Sequence, residues 1–263
     1  MKKLPTTGTA ALLLALLSAG PVLAAAPSAQ VFDAVRKPES LDPQWRTRLC
    51  ALLPQPCDAQ RLSLHRPRGA APGDYVVLSD DPLAMARVRR GAGAKEWQLD
   101  RLHDFSGYAE SLKKDINGRA DTRLSLAPAL YPLAEGQWAV AVLQTVSEMY
   151  SGGGASFDTA DFVPLDGGKA VHEDIPFACS KMVRACFSEK EYKTSKHCHD
   201  ESNGSLRIAY DGAAKPGAPY GWQYTWLQSE WPQNEPRSAT TTTRIHFTAR
   251  TTERAAFCGG PQQ

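Results

Sequence analysis

The sequence predicts a mainly β protein: antiparallel meander or sandwich-like sheets with one N-terminal helix at about 43–53 and a short helix at about 108–116, stapled by disulfides. Three observations carry this expectation. Short alternating or apolar runs are separated by Gly, Pro and Asp turns along most of the chain. Six cysteines make an even set. The composition, 42% hydrophobic and 22% charged with a formal net charge of +2, is that of an ordinary globular chain rather than a basic nucleic-acid binder or a charged disordered tail.

The first residues set the context for the rest. Met1-Lys2-Lys3 precedes an apolar run through Leu12–Leu17 and then small residues up to Ala26, the pattern of a secretory signal peptide with cleavage expected after Ala24. Gly20-Pro21 interrupts the run, which falls short of the roughly 20 apolar residues that a spanning helix needs. Segments 1–24 and 25–40 are therefore assigned to the signal and to a flexible lead-in. No cysteine precedes Cys50, so no lipid-carrying cysteine lies near the cut. Removal of Lys2 and Lys3 takes the charge from +2 to 0, which leaves no long-range pull toward nucleic acid or an anionic membrane. The expected product is soluble and periplasmic or secreted, without membrane insertion.

In an oxidising compartment Cys50, Cys57, Cys179, Cys186, Cys198 and Cys258 are expected to form three disulfides. Cys50 and Cys57 flank Pro54-Gln55-Pro56 and pair most simply with each other, a loop worth about 2.5 kcal/mol in the chain-entropy model. For the remaining four, the preferred set is Cys179–Cys186 with Cys198–Cys258, and the rival is Cys179–Cys198 with Cys186–Cys258. The preferred set requires a tight reversal within 180–185, because a straight strand would hold the Cα atoms of Cys179 and Cys186 roughly 23 Å apart.

Asp42-Pro43 offers an N-cap and a first-turn proline, and Trp45, Leu49, Leu52 and Leu53 share one face of the first helix. Tyr108, Leu112 and Ile116 recur every four residues in the second, with Asn117-Gly118 as its stop. Strands are expected at 61–65, 75–78 and 85–89, which with the helices compose an N-terminal α+β lobe over 41–118. A C-terminal antiparallel β lobe over 119–263 follows. Its clearest part is a meander: a central strand at 137–143, apolar on both faces, then 157–165 after Ser151-Gly152-Gly153-Gly154, then 170–175 after Asp166-Gly167-Gly168. Further strands are expected at 206–210, 220–227 and 241–251.

Tyr220, Trp222, Tyr224 and Trp226 stand at period two on one strand face, with Trp231 just beyond. Exposed, they would form a stacking platform for a sugar or a protein partner. Buried, they are the obvious core side of an amphipathic strand, and burial is the expected outcome. Lys196-His197-Cys198-His199-Asp200-Glu201 gathers metal-ligand residue types, but its spacing matches no usual zinc pattern and Cys198 is expected in a disulfide, with the histidines solvated. His172-Glu173-Asp174 and the pair Asp158 and Asp161 are the available acid–base candidates, yet His172 and Glu173 point to opposite faces of a regular strand. No Gly-x-Ser-x-Gly, His-Glu-x-x-His or Ser-x-x-Lys arrangement occurs, so no catalytic residue, metal or cofactor is assigned. The Tyr150–Phe157 hairpin is loosely similar to Gly-rich hairpins of periplasmic lysozyme-inhibitor proteins, over less than a tenth of the chain.

Two functions from different classes follow as expectations. The first is a non-enzymatic envelope protein that binds a protein or glycan partner, of an inhibitor, immunity or accessory type. The second is an envelope-glycan hydrolase whose carboxylates meet only in the fold.

Overall fold

A computed structural model describes residues 26–91, 96–115, 122–213, 215–248 and 257–259. The signal segment, Ile116 with its Asn117-Gly118 stop, and residues 249–251 of the last expected strand lie outside the described residues.

Among the described residues twelve strands, all paired antiparallel, form one sheet in the order β12-β11-β10-β9-β8-β7-β6-β1-β2-β3-β4-β5. The strands are β1 (Gln30–Ala34), β2 (Leu62–Pro67), β3 (Asp74–Asp80), β4 (Leu83–Arg89), β5 (Gln98–Asp104), β6 (Thr122–Ala134), β7 (Gln137–Tyr150), β8 (Gly153–Pro164), β9 (His172–Arg184), β10 (His199–Asp211), β11 (Gly221–Trp231) and β12 (Thr241–Phe247). Among the described residues three α-helices accompany them: α1 (Trp45–Cys50), α2 (Ser106–Asp115) and α3 (Glu189–Thr194).

The apolar runs of β3 and β7 are buried on both faces. In β3, Tyr75 and Val77 pack with Trp45, Leu49 and Leu53 of the α1 region, whereas Val76 and Leu78 pack with Leu124, Leu126 and Leu130 of β6. In β7, Val140 and Val142 join that same cluster, while Ala139 and Ala141 belong to the core of the C-terminal strands. The β3–β4 part of the sheet thus packs face to face against β6–β8, the sandwich-like arrangement expected. At about 25 cal/mol per Å² of apolar surface, such two-sided burial is what holds these strands in register.

Several expectations need correction. Residues 30–34, expected within a flexible lead-in, form β1, whose Gln30 and Val31 pair with β6 while Phe32, Asp33 and Ala34 pair with β2. Phe32 is buried, and both edges of its strand are occupied, so the segment is held like any other strand. The first helix begins at Trp45 rather than Pro43. The Asp42 carboxylate still accepts the backbone N–H of Gln44 at 3.0 Å, but it also accepts the indole N–H of Trp97 at 3.0 Å, a partner distant in sequence. Strands β5 and β6 and helix α3 were not expected. The α3 signal is present in Ser188 and Glu191, which form a capping box.

Among the disulfides Cys50–Cys57 is as expected. The other two are Cys179–Cys258 and Cys186–Cys198, neither the preferred set nor its rival. The cause is β9, which runs without reversal through 180–184 and so carries Cys186 away from Cys179. Without Gly or Pro, that stretch has nothing with which to turn. No described helix is long and apolar enough to cross a membrane.

Candidate functional site

The aromatic strand is core. Trp222, Tyr224 and Trp226 of β11 are buried, Trp226 completely, and Tyr220 is half-buried beside them. The Trp222 indole N–H donates to the Pro132 carbonyl at 3.0 Å, and its ring meets Phe162 edge-on at 4.8 Å. The backbone N–H of Tyr220 donates to the Leu133 carbonyl, so the start of β11 closes against the end of β6. These rings offer no stacking platform to solvent.

His172 lies in the same cluster, 4.8 Å from Trp222 and 6.0 Å from Tyr224 by ring centroids, and burial holds its pKa below the ordinary histidine value. Asp161 is 2% exposed. Its carboxylate accepts from the Tyr108 hydroxyl at 3.0 Å, the Gln144 amide at 2.8 Å and the backbone N–H of Asp174 at 2.8 Å. Burial raises its pKa, opposed by the Asp174 N–H and Tyr108 hydroxyl and reinforced by the nearby charges of Asp174 and Glu173. A carboxylate with three protein donors and almost no access to solvent ties α2, β7, β8 and β9 together, and no substrate atom could reach it. Of the acid–base candidates, Asp161 and His172 are thus held in packed surroundings, whereas Glu173 and Asp174 are exposed and Asp158 is partly exposed.

Exposed chemistry gathers instead where β7 to β11 end. Met149, Gly154, Met182, Glu201 and Trp231 are successive cross-strand partners, one on each of five neighbouring strands. Direct partners point to the same side, so they form one row. A Cβ on Gly154 would stand 2.8 Å from Met149 Sδ, so the Met149 side chain lies across the backbone of Gly154. Met149 is 86% and Met182 43% exposed. Arg184 pairs with His199 and carries its guanidinium over the rings of Phe187 at 5.4 Å and Tyr192 at 5.5 Å, both of which are exposed. Tyr150 adds a further exposed ring and donates its hydroxyl to the Met182 carbonyl.

At the other end of the row lies a groove of about 220 Å³ lined by Glu201, Asn203, Ser229, Trp231, Arg237 and Thr240. Trp231 alone of the five aromatic candidates takes part in this face. Its ring stacks on the His197 imidazole at 3.4 Å and 3°, with the Arg237 guanidinium 5.3 Å from its ring centre. His197, expected to be solvated, has a side chain only 9% exposed. Cys198 is bonded to Cys186, so it is unavailable as a ligand. One ligand atom each from His197, His199 and Glu201 nonetheless lies within 4.8 Å of the others, the one such His/Cys/Asp/Glu group among the described residues.

Met149, Met182, Arg184, Phe187 and Tyr192 carry no shared motif in the sequence, because they lie on β7, on β9 and in or beside α3, which only the fold brings together. The available signal was the position of Met149 and Tyr150 at a Gly-rich hairpin, where side chains project past the core. Compared with protein-family models, curated proteins and solved structures, the chain matches none of them.

Proposed function

We propose that the protein is exported into the cell envelope and acts without catalysis, binding a partner protein through the face formed by Met149, Met182, Phe187, Tyr192 and Trp231. The observation that carries this reading is the composition of that face. Methionine, aromatic rings and arginine are the residues enriched in protein interfaces, and here they share one end of a sheet whose other large apolar side chains are mostly buried. Isolated exposed apolar residues need no explanation, but a cluster of this kind does.

Export is supported by the signal-like segment at 1–24 and by three disulfides, which suit an oxidising compartment. The hydrolase reading loses its proposed sugar platform, since Trp222 and Trp226 are buried.

The test is affinity capture from envelope extract with wild type, a Met182→Ser/Phe187→Ser variant of the face, and a Leu99→Ser/Leu102→Ser control on β5. A discrete protein captured by wild type and control but lost from the face variant is expected. Equal capture by all three, or a captured species that glycan digestion releases, would overturn this reading.

A further inference from the structure

We propose that His197, His199 and Glu201 form a binding site for a divalent transition-metal ion, open toward the groove beside Trp231. His199 and Glu201 are two apart on β10 and so project from one face of that strand. His197 approaches from the residue before Cys198, and its place is fixed on every side. The Cys186–Cys198 disulfide anchors the next residue. The Ser195 hydroxyl donates to the His197 carbonyl at 2.7 Å and accepts its N–H at 3.1 Å, while the backbone N–H of Asn234 donates to that carbonyl at 2.8 Å. The Trp231 ring covers the imidazole.

Despite this anchoring, the ring nitrogen that faces Glu201 is unsatisfied. His197 Nε2 is buried and has no hydrogen-bond partner; Glu201 Oε1 stands 3.4 Å away without hydrogen-bond geometry. A buried polar atom left in this condition beside a second imidazole and a carboxylate is what an ion would resolve. Donors about 2.1 Å from a shared tetrahedral ion lie about 3.4 Å apart, so the present spacing closes by rotation of the two partly exposed side chains, His199 and Glu201.

Donor chemistry selects the class of ion. Two imidazoles and one carboxylate suit zinc or copper(II) over magnesium or calcium, which prefer all-oxygen sites. Three protein ligands leave at least one position open, and the adjoining groove supplies Asn203, Ser229, Arg237 and Thr240 around it. The site adjoins the partner face at Trp231 but does not rest on that reading.

Untagged protein is titrated with zinc and with copper(II), followed by calorimetry and, for copper, by tryptophan fluorescence. One ion per chain is expected. His199→Ala and Glu201→Gln, both at partly exposed positions, should each weaken binding about tenfold or more while melting like wild type without metal. Saturating zinc should raise the melting temperature of wild type and not of His199→Ala. Trp231→Phe should still bind copper but lose most of the quenching, because the Trp231 ring is the one stacked on a ligand. His246→Ala, a control on exposed β12, should behave as wild type. Absence of one-to-one binding, or undiminished affinity in both His199→Ala and Glu201→Gln, would overturn the proposal, whatever the result of partner capture.

Discussion

Trp226 lies against Gly204, where any side chain would collide with the indole and come within 2.6 Å of Cys179 Sγ. The absent side chain on β10 is what lets the fully buried indole settle over its neighbour strand, beside the Cys179–Cys258 disulfide. Gly204→Ala is therefore expected to destabilise the protein by about 1–3 kcal/mol through overpacking. A chemical-denaturation midpoint equal to that of wild type would contradict this packing.

The aromatic face of β11 yields a stronger expectation. Trp222→Ala or Trp226→Ala removes a large buried ring and should cost about 3–5 kcal/mol, a substantial part of a typical total stability of about 5–15 kcal/mol. Thermal melts read this directly, and a variant that melts like wild type would place these rings outside the core.

The same strand shows why some of the fold was legible. Alternation of Tyr220, Trp222, Tyr224 and Trp226 needs only the two-residue period of a strand, and the Val140/Ala141 run of β7 needs only burial on both faces. Cysteine pairing needs more, because it depends on which strands become neighbours. Cys179 lies beside Gly204 of β10 and meets the turn at Cys258, a contact made only once β9, β10 and that turn have assembled. The Met149–Met182–Glu201–Trp231 row was hidden for the same reason: each residue lies on a different strand, and only the register aligns them.

Non-reducing peptide mapping should recover Cys179–Cys258 and Cys186–Cys198. In the chain-entropy model, loops of 79 and 12 residues correspond to about 4.5 and about 3 kcal/mol. The Cys179→Ser/Cys258→Ser variant should thus melt below Cys186→Ser/Cys198→Ser, and the reverse order would contradict the assignment.

Burial depresses His65, His103 and His172 below the ordinary histidine value of 6.5. The folded protein then binds fewer protons than the unfolded chain, so this contribution is present above about pH 6.5 and is lost as the pH falls through the depressed values. Asp161, raised above 3.8 by burial, acts with the opposite sign: its contribution is present at low pH and is lost as the pH rises through its folded value. Melting temperature should fall from pH 7 toward pH 5, less steeply in His172→Gln. A flat profile would refute the histidine account.

Asp161→Ala leaves the Tyr108 hydroxyl, the Gln144 amide and the Asp174 N–H without their acceptor. At about 1–3 kcal/mol for each buried group left unpaired, the loss should exceed that of Gln144→Ala, which removes one donor. Equilibrium unfolding of the two variants compares them.

The partner face is tested most directly by a photo-crosslinking residue placed in living cells at Met149 or Met182, with Leu99 on β5 as the reference position. Both methionines are exposed and sit in one cross-strand row at the end of the sheet, whereas Leu99 is 41% exposed and lies on the edge strand β5. One protein adduct of the same mass from Met149 and Met182, and none from Leu99, is the predicted result. Adducts of unrelated masses, or equal crosslinking from all three positions, would contradict a dedicated binding face.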